Sequence, residues 1–233
     1  MKIAVTGGKG GVGKSTVAYN LGAELDAVVV DADLGMADLP VGRGPDLHDV
    51  LAGRATPLEA VSEAGPVALL PCGRSLAGAR AADPQALVDV VATVERHYGC
   101  VVIDSPAGLR CDVGLALLAA DACLLVTRPN RAAVADALRA RELARAIETP
   151  LARIVLNFVD PSRLTDDDSR ADRLATTLEG PVTQVPESAV VARAQRAGVP
   201  VRAIDPTCRA ASAFADLAQQ VAAGGRCLTA ARY

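Results

Sequence analysis

The residues with the clearest chemistry form a glycine-rich segment near the start of the chain. Residues 8–15 read Gly-Lys-Gly-Gly-Val-Gly-Lys-Ser and fit the pattern G-x-x-x-x-G-K-[ST]. In this pattern glycines let backbone N–H groups face a phosphate, while the closing lysine and hydroxyl contact phosphate oxygens and Mg²⁺. The predicted phosphate-binding residues are Gly8, Gly10, Gly11, Val12, Gly13, Lys14 and Ser15. A purely structural glycine turn is the alternative interpretation.

Three aspartates follow apolar runs that have the length of buried strands. Asp31 and Asp33 come after Val28–Val30, and Asp104 comes after Val101–Ile103. Positions i and i+2 of an extended chain point the same way, so Asp31 and Asp33 can face one ligand. A carboxylate at a strand end can hold Mg²⁺ beside a bound phosphate, which is the role we expect for Asp104. Strand-end aspartates also occur simply as turn formers.

These groups require a scaffold of parallel strands, which the apolar pattern predicts. Seven short runs lack polar alternation, which is typical of strands buried on both faces of a parallel sheet. The predicted strands are Ile3–Thr6, Ala27–Val30, Val67–Leu70, Val101–Ile103, Cys123–Thr127, Ile154–Phe158 and Val182–Val185. The predicted helices are Ser15–Glu24, a segment from Asp83 to about His97, Ala132–Ile147 and about Ala210–Ala222. This alternation predicts a doubly wound α/β fold, a mostly parallel sheet flanked by helices, with its ligand at the carboxyl ends of the strands.

Composition and charge narrow the class of protein. Of 233 residues, 51% are apolar, which excludes a disordered chain, and the net charge of −3 gives no overall positive field for nucleic acid. No composition break marks a second domain, so we expect one domain over residues 1–233, with a tail over about 223–233 that need not be ordered. Because the sequence shows no signal peptide or membrane-spanning stretch, we expect a cytoplasmic protein whose six cysteines are reduced thiols.

Lys9 is a second lysine in the loop that the generic pattern does not require. Residues 9–16, Lys-Gly-Gly-Val-Gly-Lys-Ser-Thr, resemble the deviant Walker A motif of the MinD/ParA superfamily of P-loop ATPases, and MinD-like proteins most of all. The resemblance implies a P-loop NTPase fold of the SIMIBI type that binds ATP or ADP with Mg²⁺, and it adds Thr16 to the binding residues. It also implies that Lys9 reaches across an ATP-dependent homodimer to the partner's phosphates. The alternative for Lys9 is an exposed loop lysine.

Residues 31–35, Asp-Ala-Asp-Leu-Gly, resemble switch I of the same family. The resemblance implies that Asp33 orients the attacking water and that Asp31 lies in the magnesium shell. The metal ligands implied in this way are Ser15, Asp31 and Asp104. The catalytic residues implied are Lys9, Lys14 and Asp33.

Residues 104–108, Asp-Ser-Pro-Ala-Gly, resemble switch II of this family. This implies that Gly108 offers its backbone N–H to the γ-phosphate and so distinguishes ATP from ADP. Asn157 ends another apolar run at the position where the family keeps an asparagine that reads adenine, and Pro186 and Glu187 resemble the loop that flanks the base. A buried asparagine satisfied by the backbone is the alternative for Asn157.

The resemblance implies an ATPase switch in which ATP binding with Mg²⁺ drives homodimerisation and hydrolysis releases the dimer. We expect this switch to position a cellular structure, in a partition or division process, with an unidentified protein partner that stimulates hydrolysis. Two alternatives remain open. One is a nucleotide-sensing adaptor with little turnover, and the other is a metal or iron–sulfur cofactor-insertion ATPase that uses Cys111 at its dimer interface.

The surfaces that would identify a partner depart from the family pattern. Residues after Val221 include two glycines and little apolar area, which argues against stable membrane anchoring. Three arginines between residues 139 and 145 are accompanied by glutamates in a chain of negative net charge, which argues against DNA binding. His48 and His97 are interpreted as ordinary core or surface histidines.

Overall fold

The fold is built on one sheet, which a computed structural model describes over residues 1–34, 39, 44–73, 76–108, 111–163 and 168–230. The strands in these residues are β1 (Lys2–Thr6), β2 (Val28–Asp31), β3 (Leu69–Leu70), β4 (Val101–Asp104), β5 (Ala122–Thr127), β6 (Leu151–Val159) and β7 (Val182–Pro186). They are all parallel and lie in the order β3-β2-β4-β1-β5-β6-β7. The seven predicted strands are confirmed, with ends that shift by three residues or fewer.

The helices in the described part of the chain connect and cover these strands. They are α1 (Lys14–Leu25), α2 (Leu47–Leu51), α3 (Pro57–Ala60), α4 (Leu76–Ala81), α5 (Leu87–Tyr98), α6 (Cys111–Ala119), α7 (Arg131–Ala146), α8 (Asp168–Leu178), α9 (Ala189–Ala197), α10 (Val201–Ile204) and α11 (Arg209–Ala230). The predictions for α1, α5, α7 and α11 are confirmed. Asp83 caps a short 3₁₀ turn, Pro84–Ala86, which leads into α5.

The last helix is longer than predicted. Instead of ending near Ala222, α11 continues to Ala230 through Gly224 and its glycine neighbour. Glycine lowers helix propensity by about 1 kcal/mol relative to alanine, but it keeps the backbone N–H that a proline would remove, so it does not stop a helix by itself. The predicted tail is therefore helical up to Ala230, and residues 231–233 lie outside the described residues.

The sheet is buried on both faces, which explains why its strands lack polar alternation. On one face, Val5 and Val29 belong to an apolar cluster that includes Phe214 of α11. On the other face, Ile103 belongs to a cluster that includes Val91 of α5. Burying a large apolar side chain contributes about 1.5–3 kcal/mol, so helices on both sides stabilise the sheet. Because the seven strands are all parallel, their carboxyl ends lie at the same edge of the sheet.

The apolar stretch Val113–Val126 divides into α6 and β5 around Asp121. The carboxylate of Asp121 accepts a hydrogen bond from the N–H of Lys2 at 2.9 Å and lies 3.2 Å from Nζ of Lys2. This pair holds the start of β1 beside the start of β5, so Lys2 has a structural role. None of the helices in the described ranges combines the length and apolar character needed to cross a membrane.

Candidate nucleotide-binding site

The phosphate loop, residues 7–13, connects β1 to α1. α1 begins after Gly13, whose φ of 93° lies in the left-handed region that favours glycine. A Cβ atom on Gly13 would also lie 2.2 Å from Nδ2 of Asn157. Because α1 begins where the loop ends, the positive end of the helix faces the loop. Among the described residues no side chain caps this end, and the first turn holds no acidic residue. Together, the loop and the N-terminus of α1 form an anion-binding geometry.

The loop is held closely between two other parts of the fold. A Cβ atom on Gly8 would lie 1.9 Å from the carbonyl oxygen of Asp136 in α7, so only glycine fits against this main chain. On the other side, a Cβ on Gly10 would lie 3.9 Å from Cβ of Ala107, in the predicted switch II. The loop is therefore in contact with α7 and adjacent to the segment that follows β4.

The two loop lysines occupy different environments. Lys14 has only 7% of its surface exposed, at the start of α1. Lys9 is exposed in the middle of the loop. The structure thus places one predicted catalytic lysine inside the site and the other on its outer surface.

Asp31 and Asp104 are direct neighbours across β2 and β4, and their exposed fractions are 0% and 2%. Burial raises the pKa of Asp104 to about 8. The negative charges of Asp31 and Asp33 also raise this pKa, while a hydrogen bond from Ser15 and the charge of Lys14 act in the opposite direction. These interactions bring five of the predicted site residues together.

The buried oxygens at this edge fit a magnesium ion. Oδ1 of Asp104 and Oγ1 of Thr6 and Thr127 are buried without a hydrogen-bond partner in the part of the chain that the structure describes. Carboxylate and hydroxyl oxygens are ligands that Mg²⁺ prefers, so Ser15, Asp31 and Asp104 can contribute to its shell. No three His, Cys, Asp or Glu side chains within the described ranges could hold a metal ion alone. Water and phosphate oxygens would therefore complete the shell, as is usual for Mg²⁺.

Both predicted switches begin beside the loop. Asp33 is half-buried, and its N–H donates to Oδ1 of Asp31 at 3.2 Å. In switch II, the N–H and the hydroxyl of Ser105 both donate to the carbonyl oxygen of Val5, at 3.2 and 2.9 Å. Gly108 follows, half-buried, and no atom of the described residues lies within 4 Å of where its Cβ would be. Gly35, the last residue of switch I, lies outside the described residues.

Asn157 supports the phosphate loop directly. Its Nδ2 donates to the carbonyl oxygen of Val12 at 2.9 Å, and its Oδ1 accepts from the N–H of Phe158 at 3.0 Å. Both ends of this buried amide are thus bonded to backbone, and its contact with adenine stays a prediction. The guanidinium of Arg128 lies 4.2 Å from the centroid of the Phe158 ring, a cation–π contact beside Asn157.

Pro186 and Glu187 lie one strand further from the loop. Pro186 ends β7 and is buried, whereas Glu187 is exposed and its N–H donates to the carbonyl oxygen of Val159 at 2.8 Å. Because β7 pairs with β6, both residues lie beside the strand that carries Asn157. Their contact with the base also stays a prediction.

Comparison with known proteins finds a family model that matches most of the chain. The sequence model of the CobQ/CobB/MinD/ParA nucleotide-binding domain matches residues 3–201. The chain belongs to this family. Both the resemblance to the MinD/ParA superfamily and the expected P-loop α/β fold are thereby confirmed.

Individual relatives of this CobQ/CobB/MinD/ParA family member align along most of the chain. An uncharacterised ATP-binding protein of Methanocaldococcus jannaschii is 33% identical over 232 residues, covering 94% of this chain and 86% of the relative. The septum site-determining protein MinD of Bacillus subtilis is 31% identical over 242 residues, covering 94% and 88%. The structure of MinD from Pyrococcus horikoshii, complexed with Mg-ADP, is similar with a TM-score of 0.83 at 28% identity, covering 94% and 95%.

The arginines of α7 make contacts within this family member. Arg139 pairs with Asp136, and Arg145 pairs with Glu142 at 2.7 Å. Nε of Arg141 donates to the carbonyl oxygen of Leu178. These three arginines, which lie in the region considered above for DNA binding, therefore make contacts within the protein.

The cysteines whose side chains are described are free thiols, namely Cys72, Cys100, Cys123 and Cys208. Burial raises the pKa of Cys123 to about 12, so this thiol stays protonated and unreactive. The side chain of Cys111 lies outside the described part of the structure, so a role in cofactor insertion stays untested.

One buried polar cluster beside switch I was not expected from the sequence. His48 is only 3% exposed, and its Nε2 lies 3.1 Å from the carbonyl oxygen of Leu34 and 3.5 Å from Sγ of Cys72. Asp46 and Asp49 form a capping box that begins α2. The spacing of these two aspartates before an apolar pair was the sequence signal that could have placed His48 on a helix.

Proposed function

We propose that this family member hydrolyses ATP with Mg²⁺, and that ATP binding favours a face-to-face homodimer which hydrolysis releases. One observation carries the proposal: the buried carboxylates of Asp31 and Asp104 meet beside Ser15, next to the glycine loop. Two carboxylates in this position repel each other, and a divalent cation would relieve the repulsion. Such a pair is costly as a purely structural feature, but it suits a site for Mg²⁺ and a nucleotide.

Each residue of the site has a proposed role in binding or hydrolysis. Ser15, Asp31 and Asp104 would hold Mg²⁺, which neutralises charge on phosphate oxygens when bound. Lys14 and the N–H groups of the loop would bind the β- and γ-phosphates. Asp33, whose own N–H is fixed by Asp31, would accept a hydrogen bond from the attacking water and orient it.

Lys9 is proposed to act on the nucleotide of the partner subunit. It is exposed on the outer side of the loop, where a second subunit can approach it. A positioned cation stabilises the negative charge that develops during phosphoryl transfer. Gly108 would contact the γ-phosphate through its N–H, while Asn157, Pro186 and Glu187 would surround adenine.

We further propose that the switch positions a cellular structure and acts with a protein partner that stimulates hydrolysis. The support is the relative from Bacillus subtilis, which is named a septum site-determining protein. The negative net charge and the internal contacts of the α7 arginines argue against DNA as that partner. The small apolar area of the segment after Val221, whose apolar residues are mostly alanine, argues against stable membrane anchoring.

Lysine variants test the proposal, because the chain has three lysines with three different roles. Lys14→Ala should weaken ATP binding by at least about a hundredfold, measured by titration with a fluorescent nucleotide. Lys9→Ala should keep the binding affinity and lower the rate of phosphate release about a hundredfold or more. Lys2→Ala, which removes only the pair with Asp121, is the matched control and should leave both quantities unchanged.

The oligomeric state provides a second test. Asp33→Ala should accumulate as an ATP-bound dimer in size-exclusion chromatography with excess ATP and Mg²⁺. A monomer under these conditions would count against the dimer cycle. Tight ATP binding by the wild type without phosphate release would instead support the nucleotide-sensing adaptor.

A further inference from the structure

His48 makes a specific hydrogen bond to switch I. Its Nε2 lies 3.1 Å from the carbonyl oxygen of Leu34, the residue that follows Asp33. A carbonyl oxygen can only accept, so Nε2 carries a proton and donates it to this bond. The contact links α2, at the β3 side of the sheet, to the segment proposed to orient the attacking water.

The imidazole ring is held firmly enough to serve as an anchor. A Cβ atom on Gly73 would lie 2.2 Å from Nδ1 of His48, so the chain after β3 closes tightly over the ring. The helix that carries the ring is fixed by its capping box and by the N–H of Leu47, which donates to the carbonyl oxygen of Pro71 at 2.9 Å. The ring therefore has little freedom to move away from Leu34.

The Leu34 contact is one of several hydrogen bonds that fix the backbone around Asp33. The N–H of Asp33 donates to Oδ1 of Asp31 at 3.2 Å, and the N–H of Leu34 donates to the carbonyl oxygen of Ala32 at 3.0 Å. These two bonds are local and turn the chain after β2. Two further bonds tie this turn to other elements: before Asp33, the N–H of Ala32 donates to the carbonyl oxygen of Asp104 in β4 at 3.0 Å, and after it, His48 of α2 holds the carbonyl of Leu34.

Burying a histidine side chain in the core is unfavourable unless its nitrogen atoms form hydrogen bonds. Nδ1 of His48 is buried and has no hydrogen-bond partner among the residues that the structure describes. An apolar side chain would avoid the desolvation cost of an unsatisfied polar group. An apolar side chain would lose the 3.1 Å bond from Nε2 to Leu34, together with the longer 3.5 Å contact of Nε2 with Sγ of Cys72.

We propose that His48 is a positioning residue: by holding the carbonyl of Leu34, it fixes switch I so that the Asp33 carboxylate faces the site. The role in hydrolysis rests on the proposed ATPase function, but the structural link between His48 and switch I does not. Within the described ranges, the hydrogen bonds of His48 reach Leu34 and Cys72 and none of the residues predicted to bind nucleotide or Mg²⁺, so His48 acts through Asp33. Its removal should impair the chemical step and leave nucleotide binding nearly intact.

Two variants separate this role from packing. His48→Leu keeps an apolar body of similar size and removes the donor, whereas His48→Gln keeps an N–H donor at nearly the same reach as Nε2. We expect His48→Leu to lower kcat for ATP at least about tenfold while KM changes less than about threefold. We expect His48→Gln to retain kcat within about threefold. His97→Leu, at the other histidine of the chain, which is exposed on α5, should match the wild type.

Amide hydrogen exchange tests the same link without any turnover. In His48→Leu, the amides of Asp33 and Leu34 should exchange at least about tenfold faster than in the wild type, and in His48→Gln they should not. The ¹⁵N spectrum of the two imidazole rings should also show His48 protonated at Nε2. Thermal unfolding confirms that each variant is folded before it is compared.

The outcomes distinguish failure of this inference from failure of the proposed function. If the wild type releases no phosphate but exchange at Asp33 and Leu34 depends on the donor at residue 48, the ATPase proposal fails and the anchor stands. If a folded His48→Leu variant shows wild-type kcat and wild-type exchange, the anchor is refuted. Equal losses in kcat for the Leu and Gln variants, with equal exchange, would also refute it.

Discussion

Replacing Asp104 with asparagine perturbs the central feature of the site, the buried pair of carboxylates. In the folded protein, Asp104 keeps its proton up to a pH of about 8, because burial raises its pKa. In the unfolded chain an aspartate ionises near pH 4. Between these values the folded state binds one proton more than the unfolded state, so the free energy of unfolding falls as pH rises. Asp104→Asn removes this contribution.

The size of the effect follows from the proton that is released. One proton gives a slope of at most about 1.4 kcal/mol per pH unit. From about pH 5.5 to about pH 7.5, the free energy of unfolding of the nucleotide-free wild type should fall by about 2–3 kcal/mol more than that of Asp104→Asn. Comparing two pH values within each protein cancels pH-independent differences, such as the strength of the hydrogen bond to Ser15.

Urea unfolding followed by circular dichroism, in buffer with EDTA, measures how the free energy of unfolding of each protein changes between the two pH values. Asp216→Asn removes an exposed carboxylate from α11 and is the matched control, expected to follow the wild type. If Asp104→Asn and the wild type lose the same stability between the two pH values, burial does not raise the pKa of Asp104 as we infer.

Nucleotide should stabilise the two proteins unequally. ATP with Mg²⁺ at a hundred times its dissociation constant stabilises a protein by about 2.7 kcal/mol. The wild type should show this gain at pH 7.5, and Asp104→Asn should lose most of it, because a carboxamide is a poor ligand for Mg²⁺. A variant that gains as much as the wild type would remove Asp104 from the metal shell.

Two further substitutions test how the loop is supported. Gly13→Ala should lower the free energy of unfolding by about 1–2 kcal/mol and weaken nucleotide binding, because alanine is strained at this φ and its Cβ would meet Asn157. Urea unfolding measures the first effect and nucleotide titration the second. Asn157→Ala should lower the free energy of unfolding by about 1–3 kcal/mol, because the carbonyl of Val12 loses its hydrogen-bond donor. Unchanged stability in Asn157→Ala would show that water replaces the amide at no cost.

The sheet could be predicted from the sequence because each central strand is buried on both faces. Val101–Ile103, for example, has no polar residue between its ends, and the polar group that follows, Asp104, marks the carboxyl end of the strand. The phosphate loop could be predicted because its glycines and Lys14 have fixed spacing. These signals are local in the sequence, so no knowledge of packing is needed to read them.

Other features depend on contacts between distant segments. The helix α6 was missed because its apolar residues run on into β5 with Asp121 as the one charged residue between them, and the contact of Asp121 with Lys2 shows where β5 begins. α2 has five residues, too few for a periodic pattern. The position of His48 depends on Gly73 and Leu34, both distant from it in sequence, so no local pattern indicates its role.

The contact between the phosphate loop and α7 has an evolutionary consequence. Gly8 approaches the carbonyl of Asp136, so the helix supports the loop with a main-chain atom that every amino acid possesses. Substitutions on the outer side of α7 can therefore accumulate in a lineage without altering this support. A helix of this kind can acquire new binding specificities over generations while the loop beside it stays constant.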